Sequence, residues 1–467
     1  MIYTEEQEVA IEAISTFLSS DREVMTVSGA GGTGKTTIVK EVYKGLRGVM
    51  GVAVSHSAKG ELQKSLGEGV PCLTLASALQ LKRKIGANGV ISFIPNPYAR
   101  EAPPISLAKY LVIDECSMLD QEDMDNIMEL KSAGTKVLYL GDVAQLPPIA
   151  RGLKTKGEDS PTFNHIGATL VIPVRYTGPT TELGNALRRE ILSDRPSNFG
   201  INVWQTQELG NKTRTSKVIG DSGYIFINSS EDIKRITKLL IQEHNDDVQM
   251  VAYTNKAVDV LNTLAREALY DKPEDQLDTF MPNEKIIAID SYSIKIREGN
   301  TKVLINNNDL FHVKDFVSAK TEDSDEFPIL RLNLDPDLNL PEGMYVDCID
   351  PSNKSQYLAK TERLLRVAKS GERNGWDYYY DFKKNWLSWV YSYSITSHKA
   401  QGKTYSNSIV IEGDIMSLPS NIVPVKTKLQ SLYVACTRAK YITFIYNKQY
   451  PVDNSQLPSN IKTFFGL

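Results

Sequence analysis

Cysteine is scarce in this sequence: Cys72, Cys116, Cys348 and Cys436 are the only four in 467 residues, and no two of them stand in C-x-x-C spacing. That scatter excludes a disulfide framework and a cysteine-based zinc site, and it points to a reducing compartment such as the cytoplasm. Long apolar runs are missing as well. No stretch approaches the roughly 18 residues that a membrane-spanning helix requires, and no signal peptide is expected before the first polar residues. A dominant charge is lacking too, since 53 Lys and Arg against 57 Asp and Glu leave a net charge of −4. A nucleic-acid partner would have to meet a local basic track and not a globally basic surface. Internal repeats and extended low-complexity tracts are also absent. What remains, 41% hydrophobic and 24% charged residues, describes a soluble globular protein with material for sizeable cores. The length predicts two to four domains.

The stretch that organises the chain is Gly29-Ala30-Gly31-Gly32-Thr33-Gly34-Lys35-Thr36, followed by Thr37. It fits G-x-x-x-x-G-K-[ST], with a β-prone run at residues 24–27 before it and a helix-like segment at residues 35–46 after it. Glycines let successive N–H groups turn toward one anion beside the positive end of the new helix. Gly32, Thr33 and Gly34 would cradle phosphate, Lys35 would reach the β- and γ-phosphates, and Thr36 would put its hydroxyl on Mg²⁺. The motif predicts binding of a nucleoside triphosphate. Upstream, Thr4 and Gln7 have the spacing of a capping box. The Gln7 amide, with one donor and one acceptor edge, is also suited to pairing with adenine.

Further along, apolar strand-like runs repeatedly end in polar residues, where open α/β sheets place ligands. Residues 49–54 lead to Ser55-His56-Ser57-Ala58-Lys59, residues 70–79 carry Thr74, and residues 110–113 end in Asp114-Glu115. An aspartate closing a strand beside a P-loop is the expected holder of Mg²⁺, and Glu115 is placed to polarise an attacking water. Residues 136–140 lead to Gly141-Asp142 and Gln145-Leu146-Pro147-Pro148, where Gln145 could sense the γ-phosphate, and residues 169–172 form a strand delivering Arg175. A second α/β block brings a strand at 249–253, its polar exit Thr254-Asn255-Lys256 and a helix at 257–269. The last block runs through Thr396-Ser397-His398-Lys399-Ala400-Gln401-Gly402-Lys403-Thr404 to Arg438.

Four stretches break this pattern. Residues 82–106 hold Gly86, Asn88 and Gly89, an alternating run with Phe93, and four prolines, which fits an inserted hairpin. Residues 193–223 read as loop. Residues 282–351 are β-rich, with Pro328 favouring an edge strand. Residues 352–389 are partly helical, basic and aromatic, a composition suited to a strand-binding surface or to an amphipathic arm.

The order of these motifs resembles superfamily 1 helicases of the RecD-like branch, nearest to Dda-type bacteriophage helicases, over nearly the whole chain. Residues 396–404, 433–439 and 141–148 carry the likeness most specifically, and residues 251–256 add to it. The resemblance implies two RecA-like P-loop domains with parallel sheets, at 1–81 with 107–178 and at 179–281 with 390–467. It further implies a pin hairpin at 82–106 and an SH3-like insert with a helical extension at 282–389. Gln7, Lys35, Thr36, Thr37, Asp114, Glu115 and Gln145 would hold and hydrolyse ATP with Mg²⁺. Arg175 and Arg438 would act as arginine fingers, and Gln401 and Gly402 would link phosphate to DNA. His56, Lys59, Thr74, Thr254, Asn255, His398 and Lys399 would line single-stranded DNA, and Phe93 would stand at the pin. Val54-Ser55 and Ala76 depart from the family pattern in the DNA-contact segments.

The activity so implied is ATP-dependent 5′-to-3′ DNA unwinding by a monomer, with single-stranded and forked duplex DNA as partners, alongside replication or single-strand-binding proteins. An RNA-directed helicase, and an ATP-gated translocase that displaces proteins without unwinding, are the alternatives.

Overall fold

The computed structural model describes residues 3–85, 91–96, 101–148, 158–174, 178–193, 213–243, 248–295, 301–305, 309–320, 328–334, 345–384 and 386–467. Six of the apolar runs pair as one parallel sheet in the order Cys72–Thr74, Val49–Ala53, Tyr110–Asp114, Lys136–Gly141, Val24–Gly29, Ile166–Leu170. Strands covered on both faces read as continuous apolar runs, and the inner strands of this sheet are buried almost throughout, whereas the edge strand Ile166–Leu170 is mostly exposed. Helices Glu5–Ser19, Lys35–Tyr43 and His56–Leu66 supply Ile14, Phe17, Ile38, Val39 and Leu62 to the core beside Val27, Val112 and Leu138.

A second six-stranded sheet follows, ordered Lys217–Ile219, Ser222–Ile227, Ile442–Tyr446, Asn407–Ile411, Val248–Ala252, Ser394–Thr396. It is parallel except for the first strand, which runs antiparallel to its neighbour. Both sheets lie in one compact unit made of Met1–Gln80, Pro95–Leu269 and Ser394–Leu467. The expectation of two parallel-sheet P-loop lobes is met in these sheets.

The other unit comprises Leu81–Ile94 and Tyr270–Tyr393. Its larger sheet is antiparallel, in the order Tyr345–Ile349, Pro328–Leu334, Leu310–Lys320, Glu284–Ala288, Trp389–Tyr391. Phe280, Ile286, Phe311, Leu332 and Val346 fill its core. Helices Lys354–Lys369 and Gly375–Lys384 pack as a pair, with Tyr357 and Phe382 stacked at 5.7 Å. Leu81–Ile85 and Ile91–Pro95 form a two-stranded sheet of their own. Phe93 lies on the second of these strands; Gly86, Asn88 and Gly89 lie outside the described residues.

Three local expectations change. Pro328 does not mark an edge: it is the first residue of an interior strand, paired with Lys320, and a first position tolerates the missing N–H. The strand expected at 169–172 runs over Ile166–Leu170 instead, because the amides of Val171 and Ile172 donate to Glu6 Oε2 at 2.8 and 3.0 Å and leave the ladder. The stretch read as loop at 193–223 contains Arg214–Thr215, Lys217–Ile219 and the start of Ser222–Ile227. Runs of two and three residues are too short to show a period.

Candidate nucleotide site

The strand Val24–Gly29 ends in the P-loop, and Gly34, at φ +85°, starts the helix Lys35–Tyr43. Its left-handed φ strains any residue with a side chain, and a Cβ there would lie 2.5 Å from Gln7 Nε2, so the Gln7 amide would have to shift. Gln7 forms the capping box expected from its spacing to Thr4, and its amide also reaches the loop. Its Oε1 accepts from Thr4 N at 3.1 Å in a complete capping box, while Nε2 donates to Thr33 O at 3.0 Å. The glutamine thus ties the first helix to the loop. Lys35 Nζ donates to the carbonyls of Gly29 at 2.6 Å and Ala30 at 3.1 Å, so the ammonium is held inside the loop. Thr36 is half-buried in the first turn and Thr37 is exposed. Thr33 is buried, and Gly32 O accepts from Val174 N at 2.9 Å.

Asp114 closes its strand as expected, with Oδ1 accepting from Glu115 N at 2.8 Å. Burial, reinforced by the neighbouring Glu115 charge and opposed by Lys35, pushes the Asp114 carboxyl up to about 6. Glu115 has φ +55°, the left-handed region that non-glycine residues seldom occupy, and such backbone strain concentrates at working sites. The oxygens of Thr36 and Asp114 are the hard donors that Mg²⁺ prefers, and a cation would relieve the repulsion between two adjacent acids. The residues therefore fit the metal.

The second sheet reaches this site through residues 401–402. Gln401 Nε2 donates to Glu115 Oε2 at 3.1 Å, Gln145 Oε1 at 3.0 Å and Ser117 Oγ at 3.1 Å. Gln401 Oε1 is buried without a hydrogen-bond partner among the described residues, which leaves an acceptor beside the two acids. Gly402 sits at φ +75°, which strains any residue with a side chain, and a Cβ there would make an ordinary contact with Glu115 Oε1 at 3.5 Å. Arg438 is 7% exposed. Its Nε donates to Val434 O at 3.0 Å, Nη1 to Lys403 O at 3.3 Å and Nη2 to Thr437 Oγ1 at 3.1 Å. Nη2 lies 3.7 Å from where a Gly31 Cβ would stand, so the guanidinium sits over the P-loop. Arg175 lies outside the described residues.

Two groups escaped the sequence reading. Ser117 gave no signal beyond its closeness to Glu115. The other is the cluster around Asp142, which is fully buried. Asp142 Oδ1 accepts from Arg188 Nε at 3.2 Å and from Ala144 N at 3.1 Å, and Oδ2 accepts from Tyr433 OH at 2.7 Å. Arg188 comes from helix Pro179–Ile191 and Tyr433 from helix Val425–Cys436, so the turn bearing Gln145 is anchored to the elements of the second lobe. Tyr433→Phe is expected to destabilise the protein by about 1.5 kcal/mol, the scale of a hydrogen bond to a charged group. Urea denaturation followed by circular dichroism checks it, and an unchanged midpoint would refute the anchor.

The residues assigned to the single strand fall at the carboxyl ends of strands in both sheets. His56 is exposed at the start of its helix, with Lys59 one turn on. Thr74 is buried as a cap, with Oγ1 accepting from Ser77 N at 3.3 Å. Thr254 Oγ1 accepts from Ala257 N at 3.1 Å, and Asn255 opens the helix Asn255–Tyr270. His398 and Lys399 lie in the short helix Ser397–Ala400, and burial lowers the His398 pKa.

An AAA domain family matches residues 3–157. The chain is similar to the ATP-dependent DNA helicase dda of Enterobacteria phage T4, 23% identical, over 94% of this chain and 98% of that protein. It is also similar to the RecBCD enzyme subunit RecD of Buchnera aphidicola, 25% identical, over 30% of this chain and 25% of that protein. Among solved structures, the Pif1 helicase from Candida albicans aligns over 100% of this chain and 99% of its own, with 15% identity and a TM-score of 0.47.

Proposed function

We propose, on the premise that this chain is a superfamily 1 helicase of the RecD-like, Dda-type branch, that it hydrolyses ATP to move 5′ to 3′ along single-stranded DNA and to open forked duplex. The observation that carries the reading is the shared site. Gln401 of one lobe bonds Glu115 and Gln145 of the other, and Arg438 lies over the P-loop. A site assembled from two lobes changes its contacts when the phosphate changes, which couples hydrolysis to movement of the lobes.

Within that reading, Gly32, Thr33, Gly34 and Lys35 hold the triphosphate, and Gln7 adds its amide at the base. Thr36 and Asp114 would hold Mg²⁺, which supplies charge neutralisation at the phosphates. Glu115 takes a proton from the attacking water, oriented through Gln145 and Gln401. Arg438, and Arg175 with it, stabilises charge developing on the γ-phosphoryl oxygens. His56, Lys59, Thr74, Thr254, Asn255, His398 and Lys399 line the strand.

The domain assignment follows the same premise: residues 1–81 with 107–178 and 179–281 with 390–467 are the motor domains. Residues 82–106, with Phe93, are the pin that splits the duplex, and residues 282–389 are the SH3-like insert. The protein acts as a monomer in the cytoplasm, in the host cell if phage-encoded, with replication or single-strand-binding proteins as partners.

Forked substrates with a 5′ or a 3′ single-stranded tail, made in DNA and in RNA and given ATP, test the reading. The 5′-tailed DNA fork is expected to open. Opening of the 3′-tailed fork alone would reverse the polarity, and opening of the RNA fork alone would replace the substrate. Strand-stimulated hydrolysis that opens no fork would leave a translocase.

A further inference from the structure

We propose that Asp414 is a positioning residue that holds the exit of the Val248–Ala252 strand in the shape that grips single-stranded nucleic acid, a role that rests on the strand-translocation reading above. Asp414 lies in the short helix Glu412–Met416, directly after the strand Asn407–Ile411 that pairs beside Val248–Ala252. One of its carboxylate oxygens, Oδ2, accepts from the backbone amides of Tyr253 at 2.8 Å and Thr254 at 2.9 Å. The other, Oδ1, accepts from Thr254 Oγ1 at 2.9 Å. Three donors on one carboxylate fix the peptide plane between Tyr253 and Thr254 just where the sheet ladder stops supplying partners.

The consequence passes to the residues that face a ligand. With its hydroxyl proton committed to Asp414, Thr254 accepts from Ala257 N at 3.1 Å through Oγ1 and from Val258 N at 3.1 Å through its carbonyl. The start of the next helix is thereby set, and with it the directions of Asn255 and Lys256, both exposed. On the other side, Tyr253 meets His398 edge-on, with ring centroids 5.7 Å apart and planes at 69°. His398 arrives from the strand Ser394–Thr396, whose Thr396 pairs with Ala252. A half-buried aromatic pair beside an exposed amide and an exposed ammonium has the chemistry to hold a base and its phosphate.

Electrostatics explains why an acid is tolerated there. A bare carboxylate would repel a polyanion, whereas one engaged by two amides and a hydroxyl has its charge directed into the protein. None of these partners belongs to the residues around the P-loop, so the effect of Asp414 is expected on strand affinity and not on phosphate chemistry.

The test uses the full chain with a fluorescein-labelled thymidine homopolymer, the anisotropy dissociation constant, strand-stimulated ATPase, and amide hydrogen exchange read by mass spectrometry. Asp414→Asn keeps the shape but cannot accept all three donors. It is expected to weaken binding about tenfold, as two or three lost hydrogen bonds would. The kcat at saturating strand should fall less than about threefold, and faster exchange should appear at residues 253–256 but not in the strand Ile442–Tyr446. Thr254→Val, which leaves the two amide contacts in place, should weaken binding by only about threefold. An unchanged dissociation constant in Asp414→Asn would overturn the proposal. So would a joint fall of affinity, kcat and melting temperature, which would make Asp414 a structural support of the whole lobe. Failure of the unaltered protein to bind the oligonucleotide is a separate result, which would overturn the strand-translocation reading itself.

Discussion

Arg438→Ala is expected to lower the ATPase kcat by about 10³-fold while changing the KM for ATP only modestly, the signature of a contact that strengthens in the transition state. The geometry prepares this outcome. All three nitrogens of the guanidinium are already occupied by neutral acceptors, Val434 O, Lys403 O and Thr437 Oγ1, which orient the charge without cancelling it. Nη2 is nevertheless close to Gly31, within reach of a phosphate in the loop. A mostly buried guanidinium held by carbonyls and a hydroxyl is short of negative charge, and the charge accumulating on a transferring phosphoryl group supplies it. Arg438→Lys tests the fork separately. Lysine keeps the charge but cannot reproduce the rigid set of donors, so it should recover only part of the rate. Steady-state kinetics at saturating single strand decides the matter. A rise in KM with an unchanged kcat would make Arg438 a ground-state binder.

The second large effect belongs to Glu115. Glu115→Gln should bind ATP normally yet turn it over at least ~100-fold more slowly, the usual scale for removing a positioned base. Its carboxylate is held at Oε2 by Gln401 Nε2, and its backbone sits in the left-handed region at φ +55°. The substitution keeps the shape and removes the basicity, so the fold should persist. A single-turnover experiment with ATP separates binding from cleavage, and near-normal cleavage would remove Glu115 from the role of base. The neighbouring Asp114, raised to about 6, points the same way. Two adjacent acids cannot both hold a negative charge cheaply without a cation between them, so one is better suited to metal and the other to the water.

The sequence by itself determined which residues are the candidates for the chemistry. Gly34, Lys35 and Thr36 are recognisable because a phosphate loop needs glycines, a cation and a hydroxyl at fixed spacing on one continuous stretch of chain. Asp114, Gln145 and Thr254 are recognisable because apolar runs buried on both faces must end before polar residues begin, and those endings fall on one edge of a parallel sheet. Local rules reach as far as one strand and its exit. They missed the edge expectation for Pro328, because strand order depends on pairing between distant segments, and they missed Arg214–Thr215 and Lys217–Ile219, which are too short to display a period. They also ended the strand near Leu170 too late, because Glu6, 165 residues before Val171, takes the amides that would have extended it. Only the tertiary structure decided what touches what, within a lobe and across the two. Gln401 meets Glu115 across 286 residues, Tyr433 meets Asp142 across 291, and Asp414 meets Thr254 across 160. A hydrogen bond leaves no periodic trace in the sequence, and its partner is chosen by where the sheets bring the ends of their strands together.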